Sequence, residues 1–117
     1  TVFGIDSDAS LIQQATTNLA GIGADNVVVS ARPMELGWSE HKPFDVIVIG
    51  GAIEVRPQAL LDQMADGGRL AAVVTNGQPV GTARLYQKIG GSVSSRPLFD
   101  AGCRVLPGFV RPQQFVF

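Results

Sequence analysis

Two acids, Asp6 and Asp8, close a short apolar run, Val2-Phe3-Gly4-Ile5, and stand just before a helical pattern. A carboxylate at the carboxyl end of a strand in an open α/β sheet borders the region where ligands bind. Its two oxygens match a vicinal diol, so Asp6 can accept hydrogen bonds from both hydroxyls of a ribose. The same pair also suits a plain helix start, where side-chain oxygens accept from unpaired N–H groups and negative charge meets the helix dipole. On the residues alone both readings of Asp6 stand. Gly50-Gly51 follow the most apolar run of the chain and would let a ligand approach the backbone closely.

Other reactive side chains are isolated. His41, the single histidine, lies between Glu40 and Lys42 in a polar stretch, with no cysteine or second histidine to complete a metal site, and reads as a solvated loop residue. Cys103, the single cysteine, has no base beside it and cannot form an internal disulfide, which fits a reducing cytosol. Gly21-Ile22-Gly23 opens like G-x-G-x-x-G, but Asn26 fills the sixth place and the segment follows a helix rather than a strand, the wrong order for phosphate binding. No residue carries a clear catalytic signature.

The elements that must position these groups follow from periodicity. Val2 to Asp6 is a strand, and Ser7 or Asp8 caps a helix whose Leu11, Ile12, Ala15, Leu19 and Ile22 share one face, with Gly21 as the left-handed stop. Asn26 to Ser30 is a β-branched strand, followed by an irregular polar stretch from Ala31 to Lys42. Phe44 to Ile49 is apolar at every position after Asp45, the pattern of a strand covered on both faces. Pro57 opens a short helix, with Leu60, Leu61 and Met64 inward and Gly67-Gly68 closing it, before a strand from Arg69 to Thr75. Thr82–Ile89 and Ser92–Phe99 flank Gly90-Gly91 as a hairpin with a primed turn. Leu106 to Phe109 is a turn, and Phe115-Val116-Phe117 a short terminal strand. This order of strands and helices is that of a doubly wound α/β sheet.

Composition narrows the function classes. The chain has 117 residues, 45% hydrophobic and 16% charged, with a formal net charge of −1. That is one domain with a proper core, not a disordered tail. The scattered basic residues leave no footprint for nucleic acid. No apolar run approaches the ~18 residues of a membrane helix.

With these elements in place, the chain resembles the protein-L-isoaspartate O-methyltransferases. The resemblance is carried by FGIDSDASLIQQATTNL, NVVVS, LGW, PFDVIVIGGA, RPQALLDQMADGGRLAAVV and the closing hairpin, and LFDAG and LPGF suggest a bacterial side-branch. It implies a three-layer, Rossmann-like class I methyltransferase sheet, mostly parallel with an antiparallel C-terminal hairpin, here as the carboxyl-terminal portion without the first strand. It implies S-adenosylmethionine as cofactor, and methyl transfer to the carboxylate of isoaspartyl residues in damaged proteins or peptides. Asp6, with Ser7 beside it, would hold the cofactor's ribose, and Gly50 and Gly51 would border the cofactor and substrate cleft. One position departs from the family. The loop before Gly37-Trp38 reads Arg32-Pro33-Met34 where Gly-Asp-Gly is usual, so the aspartate expected at the adenine amine is Pro33.

The family's glycine-rich loop and catalytic serine segment have no counterpart in these residues, so the 117 residues alone are expected to be inactive. The expected location is cytoplasmic, with neither membrane nor nucleic acid as partner. A homodimer or larger assembly is expected through sheet edges or exposed apolar faces. Two other readings remain open at this stage: a non-catalytic, methyltransferase-like binding or assembly domain, motivated by Pro33, and a nicotinamide-dinucleotide-binding domain, in which a strand-end aspartate also grips a ribose.

Overall fold

Asp8 begins the fold's longest helix. In the computed structural model, which describes residues 1–112, β1 (Val2–Asp6) runs into α1 (Ala9–Gly21) and returns as β2 (Val27–Ala31). The Asp8 carboxylate accepts from the Ser10 hydroxyl at 2.7 Å, the Ser10 N–H at 2.9 Å and the Leu11 N–H at 3.4 Å. Those bonds satisfy N–H groups that a helix start leaves unpaired. The stop differs from expectation. Gly23, at φ 70°, takes the left-handed position, while Ile22 is the cap residue. The turn is closed by bonds from Gly23 N–H to Ala20 and from Ala24 N–H to Leu19, which reach past Gly21.

β1 and β2 pair in parallel, from Val2 opposite Val27 to Asp6 opposite Ala31. The Arg32 N–H extends the ladder to the Asp6 carbonyl at 2.9 Å. Two single-turn 3-10 segments follow, Met34–Leu36 and Ser39–His41. They lead into β3 (Phe44–Ile53), α2 (Gln58–Asp62), β4 (Met64–Val74), β5 (Gly81–Ile89) and β6 (Ser92–Ala101). These strands form one sheet in sequence order, with β3 and β4 parallel and the β4–β5 and β5–β6 pairs antiparallel. The expected hairpin is present. Gly90 and Gly91 both have positive φ, 59° and 80°, as a primed turn requires. The terminal strand expected at residues 115–117 lies outside the described residues.

The core sits between α2 and the four-stranded sheet. Leu60 and Leu61 of α2 are buried there as the spacing predicts, together with Met34, Ile53, Leu70 and Tyr86. Met64 is buried too, but as the first residue of β4, since the helix ends at Asp62 and Gly67-Gly68 lie within that strand rather than closing the helix. Phe109 joins them at 1% exposure, although the sequence reads only as a turn there. Its segment folds back over the end of β3. The Ala52 N–H bonds to Arg104 and the Leu106 N–H to Ala52, which makes a parallel bridge between Ala52 and Val105. The Glu54 N–H completes the seam at the Phe109 carbonyl, 2.8 Å away.

β3 is longer than its apolar run, and it is covered less than that run suggests. Val46 is 56% and Val48 73% exposed. The physical reason is the division of the sheet. β1 and β3 both line a cavity of about 480 Å³ and are not hydrogen-bonded to each other. Half of β3 therefore faces this space rather than a packed neighbour. α1 shows the same effect, with no residue fully buried and Leu11 and Ile22 exposed.

The cap makes a pH prediction. The bonds from Ser10 and Leu11 hold the Asp8 carboxyl below its ordinary value, the Ser10 hydroxyl contributing most. A folded-state pKa below the unfolded one stabilises at pH above the unfolded value, and that stability is lost as pH falls through the folded value. Acid titration followed by far-UV circular dichroism should show helix loss below the carboxylate range. Asp8→Asn, which accepts the same bonds but does not titrate, should lose less of its signal over that interval.

Candidate functional site

The site lies where β1, β2 and β3 end, and one loop decides its shape. Gly37 has φ 65°, a backbone state that favours glycine. A Cβ at that position would lie 2.7 Å from the Leu60 side chain and 2.8 Å from Nε2 of Gln63. Gln63 itself is 6% exposed and spans the turn. Its Nε2 donates to the Leu36 carbonyl at 2.9 Å, and its Oε1 accepts from the Trp38 N–H at 3.0 Å. Its own carbonyl accepts from the Phe44 N–H at 2.8 Å. One amide thus anchors both ends of the turn to α2.

The turn in turn orders an aromatic group. Phe3 of β1 stacks on His41 with ring centroids 4.2 Å apart and meets Trp38 and Phe44 edge-on at 5.6 and 6.0 Å. His41 is therefore not a merely solvated loop residue. It is exposed, yet its ring covers Phe3 and joins the two sheets. The Arg32 guanidinium lies 4.6 Å from the Trp38 ring centroid and pairs with Glu40 at 3.2 Å. Such a stack and ion pair hold the side chain in one place.

Two cavities open beside this arrangement. The larger, of about 480 Å³, is the mostly apolar space between β1 and β3, with Trp38, Gln63 and Gly50 in its wall. The smaller, of about 310 Å³, is lined by Ser7, Ala31, Arg32, Pro33, Glu35, Pro107 and Gly108. Asp6 itself lines neither cavity and lies between them along the chain, Ile5 lining the first and Ser7 the second. Its Oδ1 accepts from the Asp8 N–H at 2.8 Å. Among the described residues no donor bonds to Oδ2, which leaves one carboxylate oxygen available.

The two glycines expected at the cleft part company. Gly50 is open, with nothing within 4 Å of a Cβ placed there. Gly51 is buried beneath Leu106, whose Cδ2 would stand 2.7 Å from such a Cβ. Its missing side chain makes room for the returning C-terminal segment. Sequence reasoning missed Gln63, Leu106 and Glu35. Only the LPGF turn hinted that this last segment mattered.

Among the described residues no group of three His, Cys, Asp or Glu side chains could hold a metal ion. No helix of the described residues is long and apolar enough to cross a membrane. The fit to a nucleoside is better supported. Arg32 Nε is the one buried side-chain polar atom without a hydrogen-bond partner among the described residues, and Glu35 stands with Arg32 in the wall of the smaller cavity. A buried donor without a partner beside a cavity suits a ligand that carries an acceptor.

The profile of the family described as protein-L-isoaspartate(D-aspartate) O-methyltransferase matches residues 1–103. The chain belongs to this family. A protein-L-isoaspartate O-methyltransferase of Syntrophobacter fumaroxidans is 38% identical over 88 residues, 75% of this chain and 38% of that protein. One from a Synechococcus strain is 34% identical over 119 aligned positions, 98% of this chain and 45% of that protein. The chain spans less than half the length of these relatives. A Plasmodium falciparum structure assigned to the same enzyme class, in complex with S-adenosyl-L-homocysteine, superposes with a TM-score of 0.77 at 20% identity, over 90% of this chain and 51% of that one. A second protein-L-isoaspartate O-methyltransferase structure gives a TM-score of 0.83 at 19% identity, over 92% of this chain and 34% of that one. The Rossmann-like class I methyltransferase fold expected from the sequence is therefore the fold of this family member.

Gln63→Leu tests the anchor, because it keeps the bulk and removes both side-chain bonds. Leaving the Trp38 N–H and the Leu36 carbonyl unpaired should cost about 1–3 kcal/mol. Chemical denaturation measures that loss. Trp38 is the single tryptophan, so its fluorescence should also shift to the red as the turn loosens.

Proposed function

We propose that this chain forms the nucleoside-binding part of an enzyme that transfers a methyl group from S-adenosylmethionine to the carboxylate of isoaspartyl residues in damaged proteins. The observation that carries this reading is the available carboxylate oxygen of Asp6 at the end of β1, which follows a residue of the larger, apolar cavity and precedes one of the smaller cavity, whose wall includes Arg32. Membership of the family supplies the reaction class. The cofactor supplies a methyl group already activated as a sulfonium, and the substrate carboxylate is already a nucleophile. The protein's task is then mainly to align the two.

Asp6 accepts from the ribose hydroxyls, with Ser7 beside it. The backbone at Gly50 admits a ligand closely because no side chain stands there. Trp38 and Phe44, in the wall of the larger cavity, limit water around the reacting groups. The single exposed thiol, Cys103, suits a cytoplasmic protein.

Two measurements test this. Calorimetry with S-adenosyl-L-homocysteine should give binding that Asp6→Ala weakens roughly tenfold or more, the value of hydrogen bonds to a charged acceptor. Unchanged affinity would remove Asp6 from the site. The 117 residues alone should not methylate an isoaspartyl peptide, since they span less than half of the relatives' length. Turnover by the purified chain would refute that.

The exposure of Val46 and Val48 beside the unpaired edges of β1 and β3 favours one further reading, assembly of two or more copies through sheet edges. Strand exchange of this kind is a low-cost route to dimers. Light scattering at micromolar concentration should report a mass above that of one chain. A monomer with cooperative unfolding would contradict it.

A further inference from the structure

One short turn stands in the walls of both cavities. Leu106 and Phe109 line the larger one, while Pro107 and Gly108, the two residues between them, line the smaller. The sequence dictates the turn. Proline followed by a glycine of positive φ, here 86° at Gly108, is the signature of a type II turn. The Phe109 N–H closes it on the Leu106 carbonyl at 3.1 Å.

We propose that Leu106 is a positioning residue for ligand binding in the smaller cavity: seated over Gly51, it holds Pro107 and Gly108 in that cavity's wall. The inference rests on the nucleoside reading made above. It adds to that reading an element, the returning C-terminal segment, that sets the shape of the nucleoside's cavity.

The turn is fixed to β3 at both ends. The Leu106 N–H donates to the Ala52 carbonyl at 2.9 Å, and the Phe109 carbonyl accepts from the Glu54 N–H at 2.8 Å. Phe109 anchors the far end by burial. At the near end Leu106 fills the notch that Gly51 leaves. A Cβ on Gly51 would stand 2.5 Å from Cγ of Leu106 and 2.7 Å from its Cδ2. Cγ lies close to the backbone, so Leu106 could not swing clear as the tip of a longer side chain would. The turn also reaches across to the loop after β2. Gly108 packs against Glu35, where a Cβ would lie 2.6 Å from the carboxyl carbon. The smaller cavity thus takes one part of its wall from residues 31–35 and another from a turn whose place is set by Gly51 and Leu106. Close-packed interiors transmit displacement rather than absorb it, so a shift of Leu106 is felt in a cavity that Leu106 does not line.

The test is calorimetry of the complete chain with S-adenosyl-L-homocysteine, for the native residues, Leu106→Ala, Leu106→Met, Gly51→Ala and the double variant Gly51→Ala with Leu106→Ala. Leu106→Ala empties the notch and should weaken binding by about threefold or more. Leu106→Met keeps the volume and should bind nearly as the native chain does. Gly51→Ala should also weaken binding, because its methyl displaces Leu106. The two losses should not multiply: with the clash gone, the double variant should bind no more weakly than Leu106→Ala. Cooperative urea unfolding checks that each variant folds. If Gly51→Ala does not, the contrast between Leu106→Ala and Leu106→Met decides. Equal affinity in all variants, or losses that multiply in the double variant, would overturn the role of Leu106 and leave the nucleoside reading intact. Absence of S-adenosyl-L-homocysteine binding by the native chain would overturn both.

Discussion

The carboxamide of Gln63 is the contact on which the site depends. It sits at the end of a helix only five residues long and gives hydrogen bonds to both sides of Gly37. Without it, the Leu36 carbonyl and the Trp38 N–H would face an apolar core with no partner, a state that folded proteins rarely tolerate. With it, Trp38 is held where it can support Arg32 and approach Phe3. The loop between the two sheets is therefore built outward from one buried amide, and Gly37, Trp38 and Gln63 together form part of the wall of the larger cavity.

The two sheets meet mainly through this loop and its rings. β1 and β2 form a small parallel unit with α1, while β3 to β6 carry the core with α2. The distribution of burial follows. The four fully buried large side chains, Ile53, Leu61, Leu70 and Phe109, all belong to the second unit or to the segment that returns to it. Burial of apolar surface is the main favourable term in folding, so stability resides there. The first unit contributes the acid, and the second contributes the rigidity against which the acid is placed.

Legibility in the sequence tracked distance along the chain. Asp8 as cap, Asp6 at a strand end and Gly90-Gly91 as a primed turn are local decisions, each visible within a few residues. The inward pair Leu60 and Leu61 was also readable from the helical pattern, whereas Met64, read as part of the same helix, is buried from the start of β4. Gln63 was not, since its partners lie 25 and 27 residues away. Gly51 reads as a glycine kept small for a ligand, but Leu106 fills the space, a pairing that local pattern does not contain. The apolar run of β3 promised cover on both faces. Composition records what a strand can bury, whereas its neighbours determine what it does bury. The site was thus legible in its acid and illegible in its walls. Resemblance to a family closed part of that gap by supplying the fold, and Pro33 marks where such carry-over stops and the geometry of this chain takes over.

The β5–β6 hairpin bears on how the chain reaches its fold. Its turn needs only two glycines, and its ladder runs from Ile89 opposite Ser92 out to Gly81 opposite Ala101. Closing so short a loop costs little chain entropy, and hairpins form within microseconds. β4 pairs with β5 across another short connection, whereas the β3–β4 pairing is parallel and spans α2. Local closure therefore favours the carboxyl-terminal third. During synthesis the ribosome releases the chain from the other end, so β1, α1 and β2 emerge before the scaffold that fixes them exists. The acid-bearing unit leaves the ribosome ahead of the strands it is placed against.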